Sequence, residues 1–213
     1  GVLPSDQSIA PERRFQEISM HLGYSTVSSG ILTIHDTSNV EETVFYRESP
    51  PVASTTVAAF QIEVKVISAN RPELNIAGDI GFLDGVKSVR VGLEPDRVGF
   101  VSRTGTAFTH SIPFDTTNDF HLFRVHKNGD SQVQLFIDDM TTPVLSVPYS
   151  QLADLNSGTP LRTMLWQGSN TGRSLVEIKS FAYNPNGLAV PEPATLSLLA
   201  LGGLAMIRRR QRV

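Results

Sequence analysis

From Phe60 to Ile67 the chain alternates: Phe60, Ile62, Val64 and Val66 fall on one face, and Gln61, Glu63, Lys65 and Ile67 on the other. A period of two with one apolar face predicts a strand laid against a core. Residues 31–35, 86–93, 98–102, 120–126, 131–137, 164–166 and 175–183 repeat the pattern with β-branched and aromatic residues. Turn signals separate them: Pro50-Pro51, Asn70-Arg71-Pro72, Asp84-Gly85, Glu94-Pro95-Asp96, Asn128-Gly129-Asp130, Asn156-Ser157-Gly158 and Asn184-Pro185-Asn186-Gly187. Short strands every 8 to 12 residues or so, with no helical period before Ala194, predict an all-β antiparallel sandwich or barrel. In the hairpin over 120–137, Asn128-Gly129 is expected to supply the two positive φ values of a type I′ turn.

The last 24 residues break the pattern. Val190-Pro191-Glu192-Pro193 precedes an uncharged run over 194–207, in which only Thr195 and Ser197 are polar, and the chain closes on Arg208-Arg209-Arg210-Gln211-Arg212-Val213. A helix over 194–207 rises roughly 21 Å, short of the ~30 Å hydrocarbon core of a bilayer, a length that also fits a core helix. The flanks favour the membrane. Arg208, Arg209, Arg210 and Arg212 cannot follow the run into a protein interior, but they can reach headgroups and hold that end on the cytoplasmic side. Pro191 and Pro193 stop the helix from growing backwards, and 196–206 has no polar face to show to water.

This order of Pro-Glu-Pro, short apolar helix with Gly202-Gly203, and terminal arginine cluster resembles the PEP-CTERM sorting signal of bacterial envelope proteins. The resemblance implies an exported protein held in the inner membrane by its tail and recognised at Pro191, Glu192 and Pro193 by exosortase, a membrane-embedded processing enzyme. It further implies association with exopolysaccharide and biofilm, and a final place at the cell surface or in the extracellular matrix. Gly1-Val2-Leu3-Pro4-Ser5-Asp6 has no initiator Met, basic region or apolar run, so the chain is expected to begin after removal of an export signal.

A second resemblance lies in the body. Phe120-His121-Leu122-Phe123-Arg124-Val125, Asn128-Gly129 and Val133-Gln134-Leu135-Phe136-Ile137-Asp138-Asp139 are similar to a hairpin of concanavalin A-like and laminin G-like jelly rolls, with Asp139 where that pattern has Gly. Residues 80–93 resemble the paired central strands of that superfamily, and Trp166-Gln167-Gly168-Ser169 with 175–183 its closing strand. Residues 1–187 are therefore expected to form a concanavalin A-like jelly-roll sandwich, and 188–213 the sorting tail with its helix over 194–207.

Charge and composition narrow the function. The formal net charge is −3, and removing the arginine tail leaves 14 basic against 21 acidic residues, a net of −7. Neither balance attracts phosphate, and no basic stripe with interleaved aromatics precedes the tail, so nucleic acid is not an expected partner. The absence of cysteine excludes disulfides, thiolate metal sites and cysteine nucleophiles. The Glu-x-Asp-x-x-Glu strand of laminarinase-type enzymes is missing: Glu63 is followed by Lys65 and Glu177 by Lys179, a cation at each place a second carboxylate would occupy. His121 and His126, five apart, fall on opposite faces of one strand and do not chelate as a pair. Asp115, Asn118 and Asp119 place oxygens in one loop where calcium could bind, and equally suit turn capping. Trp166, the only tryptophan, suits either a sugar-stacking platform or the core beside Met164 and Leu165. The expectation is a non-enzymatic glycan-binding or structural domain with no cofactor other than a possible calcium ion. The alternative is a glycoside hydrolase or lyase of the same fold with an unfamiliar site.

Overall fold

The computed structural model describes residues 16–18, 25–36, 44–48, 57–70, 78–102, 107–155, 162–168 and 173–184. The sorting motif, the apolar run over 194–207 and the arginine cluster lie outside them. Among the described residues fourteen strands follow in chain order: β1 (Gln16–Ile18), β2 (Ser25–Ser28), β3 (Ile31–Asp36), β4 (Val44–Glu48), β5 (Ala58–Asn70), β6 (Gly78–Leu83), β7 (Ser88–Glu94), β8 (Arg97–Val101), β9 (Phe108–Pro113), β10 (His121–Asn128), β11 (Gln132–Ile137), β12 (Leu145–Pro148), β13 (Arg162–Gly168) and β14 (Arg173–Asn184). A 3-10 turn, Tyr149–Gln151, follows β12.

They form two seven-stranded sheets, ordered β1-β4-β13-β6-β7-β8-β9 and β12-β11-β10-β5-β14-β3-β2, with every described pair antiparallel. This is the expected all-β jelly-roll sandwich. Sequence-distant strands become neighbours, β5 pairing with both β10 and β14, because each sheet must turn its apolar residues towards the other.

The alternation over 60–67 survives intact. Phe60, Ile62, Val64 and Val66 are buried in one core with Val125, Val133, Leu135, Ile80, Val91, Phe100 and Val176, while Ile67 is exposed. Burying such aliphatic and aromatic side chains contributes roughly 1.5–3 kcal/mol each before chain entropy is counted. β6 and β7 are buried on both faces; β7 still alternates, Val89, Val91 and Leu93 against Ser88, Arg90 and Gly92, whereas alternation does not mark β6. At Gly81, where φ is +142°, an added Cβ would run into the Val89 carbonyl, which ties this position of β6 to glycine.

Two local expectations are corrected. Asn128 pairs with Gln132 as the last residue of β10, so the hairpin turn is 129–131 and only Gly129 has positive φ, +59°. The Asn128 carbonyl accepts from both the Ser131 hydroxyl (2.7 Å) and its N–H (3.3 Å), which holds the longer turn in place of a type I′ turn. The strand expected over 86–93 begins at Ser88, because the Asp84 carboxylate accepts from the N–H groups of Val86 and Lys87 and keeps 84–87 as a turn.

Candidate functional site

Sheet register decides which polar side chains come together. On β10, Phe123, Val125 and Lys127 face the core, so Arg124 and His126 face away from it. Gln134 on β11 stands opposite His126, and Gln61 on β5 opposite Arg124. Glu63 lies opposite Ser180, and Lys65 opposite Glu177 of β14, which in turn faces Thr33 of β3. The outer face of the second sheet thus carries a polar band crossing β11, β10, β5, β14 and β3 on strands rather than loops, interrupted by the outward Phe136 and Leu122, and Arg124 within it is buried.

Within the band each charge has a defined setting. The Arg124 guanidinium lies 4.7 Å from the centre of the Phe136 ring and donates to the Met140 carbonyl, which pins the 138–144 segment over that edge of the sheet. His126 is half-buried, and its pKa is lowered from the ordinary histidine value by desolvation and then by the Arg124 charge, with a smaller opposing contribution from its hydrogen bond to Gln134. A neutral imidazole carries both a donor and an acceptor. Glu63 pairs with Lys179 at 3.0 Å, and the Lys179 ammonium sits 4.3 Å from the centre of the Phe120 ring.

The residues expected to bind calcium lie at one end of the sandwich, and each is engaged in local structure. Asp115 accepts from the N–H (2.8 Å) and hydroxyl (2.7 Å) of Thr117, and these bonds lower its pKa. Asn118 Oδ1 is 2.7 Å from His121 Nε2, and Asp119 accepts from the N–H of Phe120. His121 Nδ1 is 2.7 Å from Asp138, which also accepts from the Leu122 N–H and adopts a positive φ of +57°. Among the described residues no group of three His, Asp or Glu side chains is arranged to hold a metal ion. His121 and His126 do face opposite sides of β10. Trp166 falls at an irregularity of β13, its backbone paired with Phe45; its side chain lies outside the described residues.

Gln61, Arg124 and Gln134 were not among the expected site residues. Their signal is that outward positions on three strands are polar and long, which becomes a site only once β5, β10 and β11 are known to be neighbours.

Residues 189–211 match the PEP-CTERM protein-sorting motif, the signal of exported proteins held transiently in the membrane before processing. No curated protein matches the chain. Among solved structures it is similar to a carbohydrate esterase from the Shiga toxin-encoding bacteriophage phi24B, with 12% identity, a TM-score of 0.53, and 85% of this chain covering 94% of that one. The carbohydrate recognition domain of Emp46p gives 9% identity and a TM-score of 0.51, with 87% and 96% covered. The binding domain of Paraclostridial Mosquitocidal Protein 1 gives 13% identity and a TM-score of 0.44; 77% of this chain is covered, and it spans 44% of that domain's length. The first two likenesses support a lectin-like jelly-roll fold.

Proposed function

We propose that this is an exported cell-surface or matrix protein, sorted by exosortase, whose sandwich binds polysaccharide without cleaving it. The observation that carries the binding reading is the outer polar band, above all Gln134, His126 and Gln61, which stay partly exposed on adjacent strands around the buried Arg124. Amide groups and a neutral imidazole offer donors and acceptors in pairs, which is what sugar hydroxyls require, and strands hold them with less freedom than loops would. One structural neighbour is named as a carbohydrate recognition domain, in agreement with this reading.

Support for a non-catalytic role comes from the carboxylates of the band. Glu63 is paired with Lys179, and Glu177 stands opposite Lys65, whereas glycoside hydrolysis uses two carboxyl groups about 5 to 9 Å apart acting as acid and base or nucleophile. Because another neighbour is named as a carbohydrate esterase, turnover is tested together with binding. Incubation of the protein with bacterial exopolysaccharides is expected to give saturable co-sedimentation and no release of acetate, reducing ends or unsaturated products. Release of any of these would replace the binding reading with an enzymatic one. For sorting, replacing Pro191, Glu192 and Pro193 by alanine is expected to leave the protein uncleaved in the membrane fraction; normal processing of that variant contradicts exosortase recognition.

A further inference from the structure

Strand β14 ends at Asn184, and the sorting motif begins at residue 189. The chain reaches at most about 18 Å from Asn184 to the motif and about 36 Å to the apolar run at 194 when fully extended. Register identifies the end of the sandwich at which β14 finishes. Asn184 stands opposite Ala59, and Ala59 opposite His126. Two residues further along β10, Asn128 pairs with Gln132, and Gln132 with Pro148. The same end therefore carries the 129–131 turn and the Tyr149–Gln151 turn. The Asp84–Lys127 pair, at 3.1 Å, brings the 84–87 turn of the other sheet there too, and Lys87 bridges from it to Asp154. The opposite end carries Asp115, Asn118, Asp119 and the 138–144 segment. The eight residues of β10, which run from one end to the other, extend about 25 Å.

We propose that while the tail holds the protein in the inner membrane, the end bearing Asp130, Gln151 and Asp154 faces the bilayer and the end bearing Asp119 and Thr142 points away from it. This rests on the membrane-anchoring reading of the tail. β14 pairs with β5 as far as Asn184, while its pairing with β3 stops at Ile178, so the tether leaves from a strand that β5 holds to its last residue. The outer face of the second sheet then stands along the membrane normal, with the polar band crossing it on the side open to a polymer. Among the described residues, the bilayer-facing end presents carboxylates to solvent and not free cations. Asp130 and Asp154 are exposed, and the Lys87 ammonium is taken up by Asp154 at 2.7 Å and by the carbonyls of Ser150 and Leu152. Anionic headgroups repel these described carboxylates, so the tether is what holds this end near the membrane and towards the enzyme that handles the motif.

The chain has no cysteine, so single thiols can be placed at will. Asp130→Cys and Asp119→Cys, both at exposed positions, are made in the full chain including its tail, labelled with a donor fluorophore, and reconstituted into phosphatidylethanolamine/phosphatidylglycerol vesicles containing an acceptor lipid. The expected result is several-fold faster energy transfer from position 130 than from 119, with Thr142→Cys behaving like 119. Equal transfer from the two ends, or faster transfer from 119, overturns the orientation. Flotation of the vesicles separates the two levels of failure: protein that floats with the wrong transfer pattern defeats the orientation alone, and protein that does not float defeats the anchoring reading and the orientation with it.

Discussion

Lys127 and Asp84 join the two sheets through a fully buried ion pair, Nζ to Oδ2 at 3.1 Å with neither side chain exposed. Tyr149 donates its hydroxyl to the same Asp84 oxygen at 2.5 Å, and the Lys127 ammonium lies 4.9 Å from the centre of the Tyr149 ring. Desolvation, and after it the hydrogen bond and charge of Asp84, raise the Tyr149 pKa well above that of a free phenol. Removing one member of a buried pair strands the other charge, which costs about 3–5 kcal/mol. Lys127→Met is expected to destabilise by that amount in urea unfolding. A loss below about 1 kcal/mol would show that Asp84 is satisfied by Tyr149 and the two backbone N–H groups without its cation.

Gly81 and Gly30 both have positive φ, +142° and +80°, but a Cβ at Gly81 meets the Val89 backbone whereas nothing lies within 4 Å of one at Gly30. Gly81→Ala combines backbone strain with overpacking and is expected to cost about 2–5 kcal/mol. Gly30→Ala carries the backbone strain alone, about 1–3 kcal/mol, so Gly81→Ala should be the more damaging of the two. Thermal melts of the two variants side by side check the order.

His126 gives a pH dependence with a definite sign. Its folded pKa lies below its unfolded value of 6.5, so the unfolded chain binds more protons in that window and stability rises with pH. The contribution is complete above the unfolded value and is lost as pH falls through the lowered folded value. Unfolding free energy measured from pH 8 to pH 5 should decline, and His126→Gln should flatten the decline. An unchanged slope in the variant would assign it to other groups.

The Asp115–Asp119 loop is spent on its own hydrogen bonds. Millimolar calcium is therefore expected to leave the melting temperature unchanged. A rise that disappears in Asp115→Ala would make the loop a cation site.

Strands with one wet face were the legible ones. The alternation over 60–67, 120–126 and 131–137 predicted β5, β10 and β11 because each has a clear inside and outside. β6 lacks alternation because both its faces are buried, and short edge strands such as β2 and β12 offer too few residues to show a period. The sorting motif was legible because its parts are contiguous in the chain. The polar band was not, since Gln61 and Arg124 are 63 positions apart in sequence and meet only through the β5–β10 pairing, which no local signal encodes. The turn at 129–131 departed from expectation because Ser131 bonds back to Asn128, a side-chain preference that outweighed the Asn-Gly signal.

Polysaccharide bound on the outer face of the second sheet would rest on its outward glutamines. The most direct test compares co-sedimentation of the unmodified protein and a Gln61→Ala/Gln134→Ala double variant with a panel of neutral and acidic exopolysaccharides. Both substitutions shorten outward side chains and are expected to leave the melting temperature within a few degrees of the parent. The account predicts saturable binding of the parent to at least one polymer class and at least about tenfold weaker binding by the variant, on the order of 1.4 kcal/mol. A parent that binds no polymer, or a folded variant that binds as well as the parent, would contradict it.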